Sequence, residues 1–302
     1  LGYFGPRQAG SGWVGSGGME LIIAGNYRAQ WGEGPIWWDG ALYYVDIEGH
    51  RVLRFDPESG EEKSWEVGQR VGTVVPRSTG GLVIAGDDGF AFLDEETGEV
   101  TAIADPEPEK ADNRFNDGKC SPDGRFFAGT ISTVKKTGDA ALYRLEKDGS
   151  VKVAFAGVTN SNGIAWSADG KTVYYIDTPR LAVLAFDYDS ASGELSNERV
   201  AFSMAEAVSA SPDGMAIDAE GNLWIAFCHG SCVVCFDPEG KEIRRVDLPC
   251  REVTAVAFGG ENLEDLYVTT GVPKDDVEEG AGRLFVVTGL GVKGVPAFGF
   301  GG

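Results

Sequence analysis

SPDGRFFAGT, residues 121–130, joins a tight turn to a short strand. Asp-Gly supplies the positive φ that such a turn requires, and the run after it is aromatic, as strands are. The same unit recurs as WDGALYYVDI (38–47), STGGLVIAG (78–86), SADGKTVYYIDT (167–178), DAEGNLWIAF (218–227) and NLEDLYVTT (262–270). A second signature falls between the copies: FDPESGE (55–61), LDEETGE (93–99), LEKDGS (145–150), FDYDSASGE (186–194) and FDPEGKE (236–242). These read as hairpin turns closing the later strands of each unit. From Gly40 the repeat glycines step by 41, 43, 46 and 51 residues to Gly81, Gly124, Gly170 and Gly221. Periods of roughly 40–50 residues with about four strands each mark a β-propeller, and six copies imply six blades. Two further strand-like segments, 19–25 and 283–288, lie at opposite ends of the chain. They are expected to share one blade, so that the ring closes without a free edge. No amphipathic helix is legible. The expected fold is all-β, a single six-bladed β-propeller domain over residues 19–302.

The composition agrees. Among 302 residues there are 44 glycines and 42% apolar residues, which suits many short strands and excludes a disordered chain or a helical bundle. Residues 1–18 are Gly/Ser-rich and lack the apolar core of a signal peptide. They read as an appended leader, with Met19 as the native start. With 26 Lys+Arg against 47 Asp+Glu, the formal net charge is −21. Phosphate backbones and anionic membranes are held by basic clusters, so neither nucleic acid nor membrane is an expected partner. Nothing in the sequence calls for an obligate protein partner. Five cysteines, Cys120, Cys228, Cys232, Cys235 and Cys250, are an odd number in a large domain and favour reduced thiols and a cytoplasmic setting.

A propeller gathers equivalent positions of successive blades around one channel. Glu33 lies seven residues before Gly40, while Asn116, Asn162 and Asp213 each lie eight before Gly124, Gly170 and Gly221. All four offer side-chain oxygen, the ligand set of a hard divalent cation. Asp and Asn also populate turns, but turn preference does not explain a shared offset in four blades.

GEGPIW (32–37), NRFNDGKCSPDGRFFAGT (113–130), SNGIAWS (161–167), YYIDT (174–178), AFDYD (185–189), PDGMAIDAEGNLWIA (212–226), AFGGENLEDLYVTT (257–270) and GLGVKG (289–294) together resemble the regucalcin/gluconolactonase family, also described as senescence marker protein, gluconolactonase and luciferin-regenerating enzyme-like. The likeness runs from about Trp31 to Gly294. It implies a six-bladed propeller holding one divalent metal, Ca²⁺ first with Zn²⁺, Mn²⁺ and Mg²⁺ as alternatives, and hydrolysis of a small-molecule lactone. It places metal ligands on Glu33, Asn162 and Asp213 and substrate contacts on Arg114 and Asn116. One departure is visible: where the family has a Glu that binds sugar hydroxyls, this sequence has Val134. Glu48 is a candidate replacement, read otherwise as an exposed turn carboxylate.

In the chemistry these residues permit, Asp213 is the candidate general base, Arg114 would orient a carbonyl, and Asp117 either orients a ligand or is a turn residue. Phosphotriester hydrolysis on the same metal centre and a non-catalytic calcium-binding propeller are the competing functions. Other signals are set aside. Cys228, Cys232 and Cys235 have a cluster-like spacing, but alternation sends Cys232 and Cys235 to opposite sheet faces, so buried thiols are expected. The glycine patterns at 10–15 and 289–294 lack the strand and helix of a dinucleotide site. With only His50 and His229, a His-rich zinc site has little to build on.

Overall fold

The computed structural model describes residues 13–14, 18–206, 209–275 and 278–302. Five antiparallel four-stranded sheets follow one another along the chain, and a sixth sheet is assembled from both ends of it. The innermost strands are Gly32–Trp38, Val71–Pro76, Asn113–Cys120, Ser161–Trp166, Ser211–Ile217 and Val253–Gly259, in blades 1 to 6. Each touches the next around the ring, and the last touches the first. This is the expected six-bladed propeller. The quoted turns lie where the repeat puts them: Asp39 and Gly40, at φ 47° and 76°, connect the first two strands of blade 1. Two successive positive φ values match the twist of the strands they join.

The second strands, such as Ala41–Asp46 and Leu223–Cys228, are buried at every position, whereas the outer strand Glu62–Glu66 buries only Trp65. Neighbouring blades stack face to face, so an inner strand is covered on both sides and reads as a continuous apolar run.

Blade 6 takes its outer strand from the other end of the chain. Glu20–Arg28 pairs antiparallel with Arg283–Thr288, as expected for segments 19–25 and 283–288. Trp13–Val14 adds a two-residue strand against Glu20 and Leu21, a pairing that the Gly/Ser-rich sequence of residues 1–18 did not suggest. Residues 1–12 and 15–17 lie outside the described residues. Helical structure among the described residues is one 3₁₀ turn, Thr178–Arg180, and no helix is long and apolar enough to cross a membrane. The five cysteines are free and buried, as expected.

Beyond Thr288 the chain crosses the floor of the ring. Ala219 N–H donates to Lys293 C=O at 2.7 Å, Phe300 N–H to Pro76 C=O at 2.8 Å, and Gly301 N–H to Gly124 C=O at 2.9 Å. The segment therefore ties blade 5 to blades 2 and 3. Val295, Pro296, Ala297 and Phe298 roof an apolar cavity of about 80 Å³ at this end, against Trp37, Trp166 and Phe258.

Candidate functional site

All six innermost strands break register near their first residues. Pairing skips from Glu33 to Ile36, from Phe115 to Gly118, from Ser161 to Ile164 and from Pro212 to Met215, and by one residue at Gly72 and Thr254. A bulge re-aims the side chains it releases from the ladder. Here it turns Asn116, Asn162 and Asp213 into the channel beside Glu33, the last residue paired before the bulge of its own strand, all four less than a tenth exposed. A glycine follows two of them for a steric reason. A Cβ on Gly163 would lie 2.5 Å from that of Met215, and one on Gly214 2.4 Å from that of Ala255, so adjacent strands could not close.

The amides are oriented by a relay across blades 3, 4 and 5. An Arg114 guanidinium N–H donates to Asn116 Oδ1 at 2.9 Å, and Asn116 Nδ2 donates to Asn162 Oδ1 at 2.9 Å and Ser161 C=O at 2.7 Å. Asn162 Nδ2 in turn donates to Thr178 Oγ1 at 2.6 Å, whose hydroxyl donates to Pro212 C=O at 2.8 Å. With its nitrogen tied back, Asn162 presents its oxygen to the channel.

Glu33 and Asp213 form a hydrogen-bonded carboxyl pair. Burial, and then the charge of Asp117, push Glu33 up to about 8. Asp213 is raised well above the carboxylate range by burial first and then by Glu33 and Asp117. Asp117 is thus a third channel carboxylate, 4% exposed and accepting the Gly118 N–H at 2.7 Å, rather than a surface turn residue. Two cations offset part of this charge. Lys119 reaches across to the Met215 carbonyl and faces Asp117 and Glu33, its own pKa lowered by burial, and half-buried Arg114 faces Glu33. A cavity of about 10 Å³, room for about one water, lies between Gly34, Asp117, Lys119 and Gly214.

Three buried carboxyl groups that are held protonated first by burial, and for Glu33 and Asp213 also by neighbouring charge, are a set that a divalent cation would complete. The donors are all oxygen, which fits a hard cation. Without a cation, folded Glu33 keeps its proton up to about 8 while the unfolded side chain loses it near its ordinary value of 4.5. The folded state binds more protons through that window, so stability falls as pH rises across it. Melting temperatures of chelated protein from pH 5 to pH 8, values on the order of that window's limits, are expected to decline steadily. A rise would contradict the buried carboxyl pair.

Glu48 is exposed, and its charge acts on Arg114 and Arg70, so it stands near Arg114. Val134 is 60% exposed in the segment after Phe126–Ser132. Four channel or supporting residues were not read from the sequence. Lys119 and Thr178 lacked a ligand-type signal, whereas Thr73 carried one: it lies eight residues before Gly81, the same offset as Asn116, Asn162 and Asp213. Thr254 is its counterpart in blade 6, donating to Gly32 C=O at 2.5 Å.

Residues 31–272 match the family described as SMP-30/Gluconolactonase/LRE-like region. The chain belongs to this family. Within the SMP-30/gluconolactonase family, regucalcin of Danio rerio is 45% identical over 294 residues, covering 94% of this chain and 98% of that one. A luciferin-regenerating enzyme structure superposes with a TM-score of 0.85 at 32% identity, covering 91% of this chain and 96% of the other. Regucalcin from Agrobacterium tumefaciens, described as a calcium-binding protein, gives a TM-score of 0.86 at 26% identity over 92% of this chain and 96% of its own.

Proposed function

We propose that this protein is a divalent-cation-dependent lactonase of the gluconolactonase type, with Glu33, Asn162 and Asp213 holding the cation and Ca²⁺ as its first candidate. The observation that carries this reading is the convergence of those three buried oxygen donors with Arg114 and Asn116 on one end of the channel. The bound cation would supply Lewis acidity to the lactone carbonyl. The protein's own groups do the rest. Asp213 takes the proton of the attacking water. Arg114 donates to the carbonyl oxygen and offsets the negative charge that develops there. Asn116, fixed by three hydrogen bonds, holds the Arg114 guanidinium and the Asn162 amide in their orientations.

Lactone hydrolysis tests the proposal directly. Protein loaded with Ca²⁺, Zn²⁺, Mn²⁺ or Mg²⁺ is assayed on a panel of sugar and aliphatic lactones, with a chelated control. Cation-dependent ring opening is expected. A protein that binds Ca²⁺ with no turnover of any lactone would leave the non-catalytic calcium-binding reading in its place. Exposed Val134 cannot accept hydrogen bonds from sugar hydroxyls, which favours less hydroxylated lactones. The same observation keeps phosphotriester hydrolysis as the second reading, so a phosphotriester belongs in the panel.

Two substitutions address the cation ligands. Glu33→Gln keeps the shape and removes one charge, so Ca²⁺ affinity is expected to fall, because ligand charge sets the affinity of such sites. Unchanged calorimetric binding would remove Glu33 from the ligand set. Thr178→Val leaves Asn162 Nδ2 without its anchor. Loss of such an outer partner lowers metal affinity about 10–100-fold, and the same titration reads it.

A further inference from the structure

A second group of ligand-type side chains lies outside the channel ring, between blades 5 and 6. Leu223–Cys228 ends opposite Ser211, two residues before Asp213. The turn that follows carries His229, and Glu252 stands one residue before the innermost strand Val253–Gly259, bridged to Cys228. Cys228 Sγ lies 3.1 Å from Glu252 Oε2 and 3.9 Å from His229 Nε2. His229 Nδ1 lies 2.7 Å from Glu252 Oε2 and 3.0 Å from Oε1. Cys228 and Glu252 are buried, while the His229 side chain is 63% exposed. Among the described residues, the Glu252 carboxylate meets the thiol, the imidazole and the His229 N–H and makes no ion pair with a Lys or Arg, neighbouring Arg251 pairing with Asp275 and Glu278 instead.

We propose that Cys228, His229 and Glu252 form a zinc-class cation site at the rim of the channel, distinct from the oxygen ring. One ligand atom from each residue lies within 4.8 Å of the other two. The edges of a tetrahedron built on metal bonds of about 2.0–2.3 Å are of similar length, so small side-chain adjustments suffice. Thiolate, imidazole and carboxylate select a borderline-soft divalent ion, whereas a hard one prefers the oxygen ring. Three protein ligands leave a fourth position open on the exposed side of His229, for water or a small ligand. Binding replaces the Cys228 S–H bond with a sulfur–metal bond and releases that proton to solvent. The same trio could be drawn as a nucleophile with its base and orienting acid. The groups that face the sulfur, Glu252 nearby and Asp213 and Glu33 further in, are all carboxyls, which disfavour a free thiolate, whereas a bound cation would offset them.

Cobalt(II) is the probe, because only a sulfur ligand gives a thiolate-to-cobalt charge-transfer band. The full chain is first saturated with Ca²⁺ and then titrated with Co²⁺ and Zn²⁺. One equivalent of Co²⁺ is expected to produce the band, Zn²⁺ to displace it, and Cys228→Ser to abolish it. His229→Asn changes an exposed turn residue at φ 65°, a conformation that Asn tolerates, so the fold is retained. It is expected to weaken Zn²⁺ binding at least about tenfold, at or above the loss typical of outer partners. Absence of the band, its survival in folded Cys228→Ser, or unchanged Zn²⁺ affinity in His229→Asn would overturn the site. None of these readouts depends on lactone turnover.

Discussion

Asp213→Asn, assayed with the cation saturating, is expected to lose lactone hydrolysis by about 10²–10⁴-fold, the usual contribution of a positioned general base. The amide oxygen can still coordinate a hard cation, as the oxygen of Asn162 is proposed to do, but it cannot take a proton from water. The substitution also dissolves the carboxyl pair with Glu33, but the upward shift of Glu33 should persist, because burial and the Asp117 charge cause it. Cation affinity falls more modestly than turnover, which is why saturation matters. Arg114→Ala gives the contrasting pattern. Its guanidinium hydrogen-bonds Asn116 and the Phe115 carbonyl and meets the proposed ligand Glu33 through charge alone, so turnover suffers more than cation binding. Parent-rate hydrolysis by Asp213→Asn would show that Asp213 is not the base.

The second large effect lies on the opposite face of the molecule. Phe300→Ala is expected to cost about 3–5 kcal/mol, the range for deleting a buried phenyl ring, and on the order of 10 °C in melting temperature. Phe300 is 1% exposed and belongs to the core shared by blades 1, 2 and 3. Its N–H donates to Pro76, and its carbonyl accepts from both the N–H and the hydroxyl of Ser78. Losing the ring therefore loosens the floor segment as well as leaving a void. A melting temperature within a degree or two of the parent would mean that the floor collapses onto the space left, which would lower the cost. The oxygen ring stands at the far end of the innermost strands, so Ca²⁺ affinity measured well below the melting transition should change little.

Local chemistry made most of the fold legible. Asp-Gly and Gly-Gly turns recur because each hairpin needs them, and their spacing fixed the blade count without any view of the packing. Closure by the two distant strands followed from counting what remained. The ring residues were legible for a different reason: the bulge recurs at a constant distance from the turn glycine, so Asn116, Asn162 and Asp213 share one offset. The residues missed are those whose significance comes from another blade or from beyond the repeat. Thr178 matters because its hydroxyl meets both Asn162 and Pro212, and no linear spacing expresses that. Glu252 meets Cys228 only across a blade boundary, so the cysteine spacing drew attention to the wrong partners, Cys232 and Cys235. The floor segment VPAFGFGG has no periodicity because it is held by isolated bridges and single hydrogen bonds rather than by a ladder.

The closing of blade 6 by Glu20–Arg28 also sets a clock during synthesis. Arg28 finds the Ala281 carbonyl 253 positions later in the chain, so a strand made early is among the last to join its blade. Contacts of such separation carry the largest loop-closure cost and form slowly. Until the ribosome has released Arg283–Thr288, the growing arc keeps two open strand edges, and an edge of that kind invites pairing with another chain. Asp213 in blade 5 also cannot meet Glu33 in blade 1 before the arc bends shut, since blade 6 stands between them on one side. The proposed cation capture by that pair therefore belongs to the finished circle, and a pulse of Ca²⁺ added at successive stages of refolding would report the moment the circle closes.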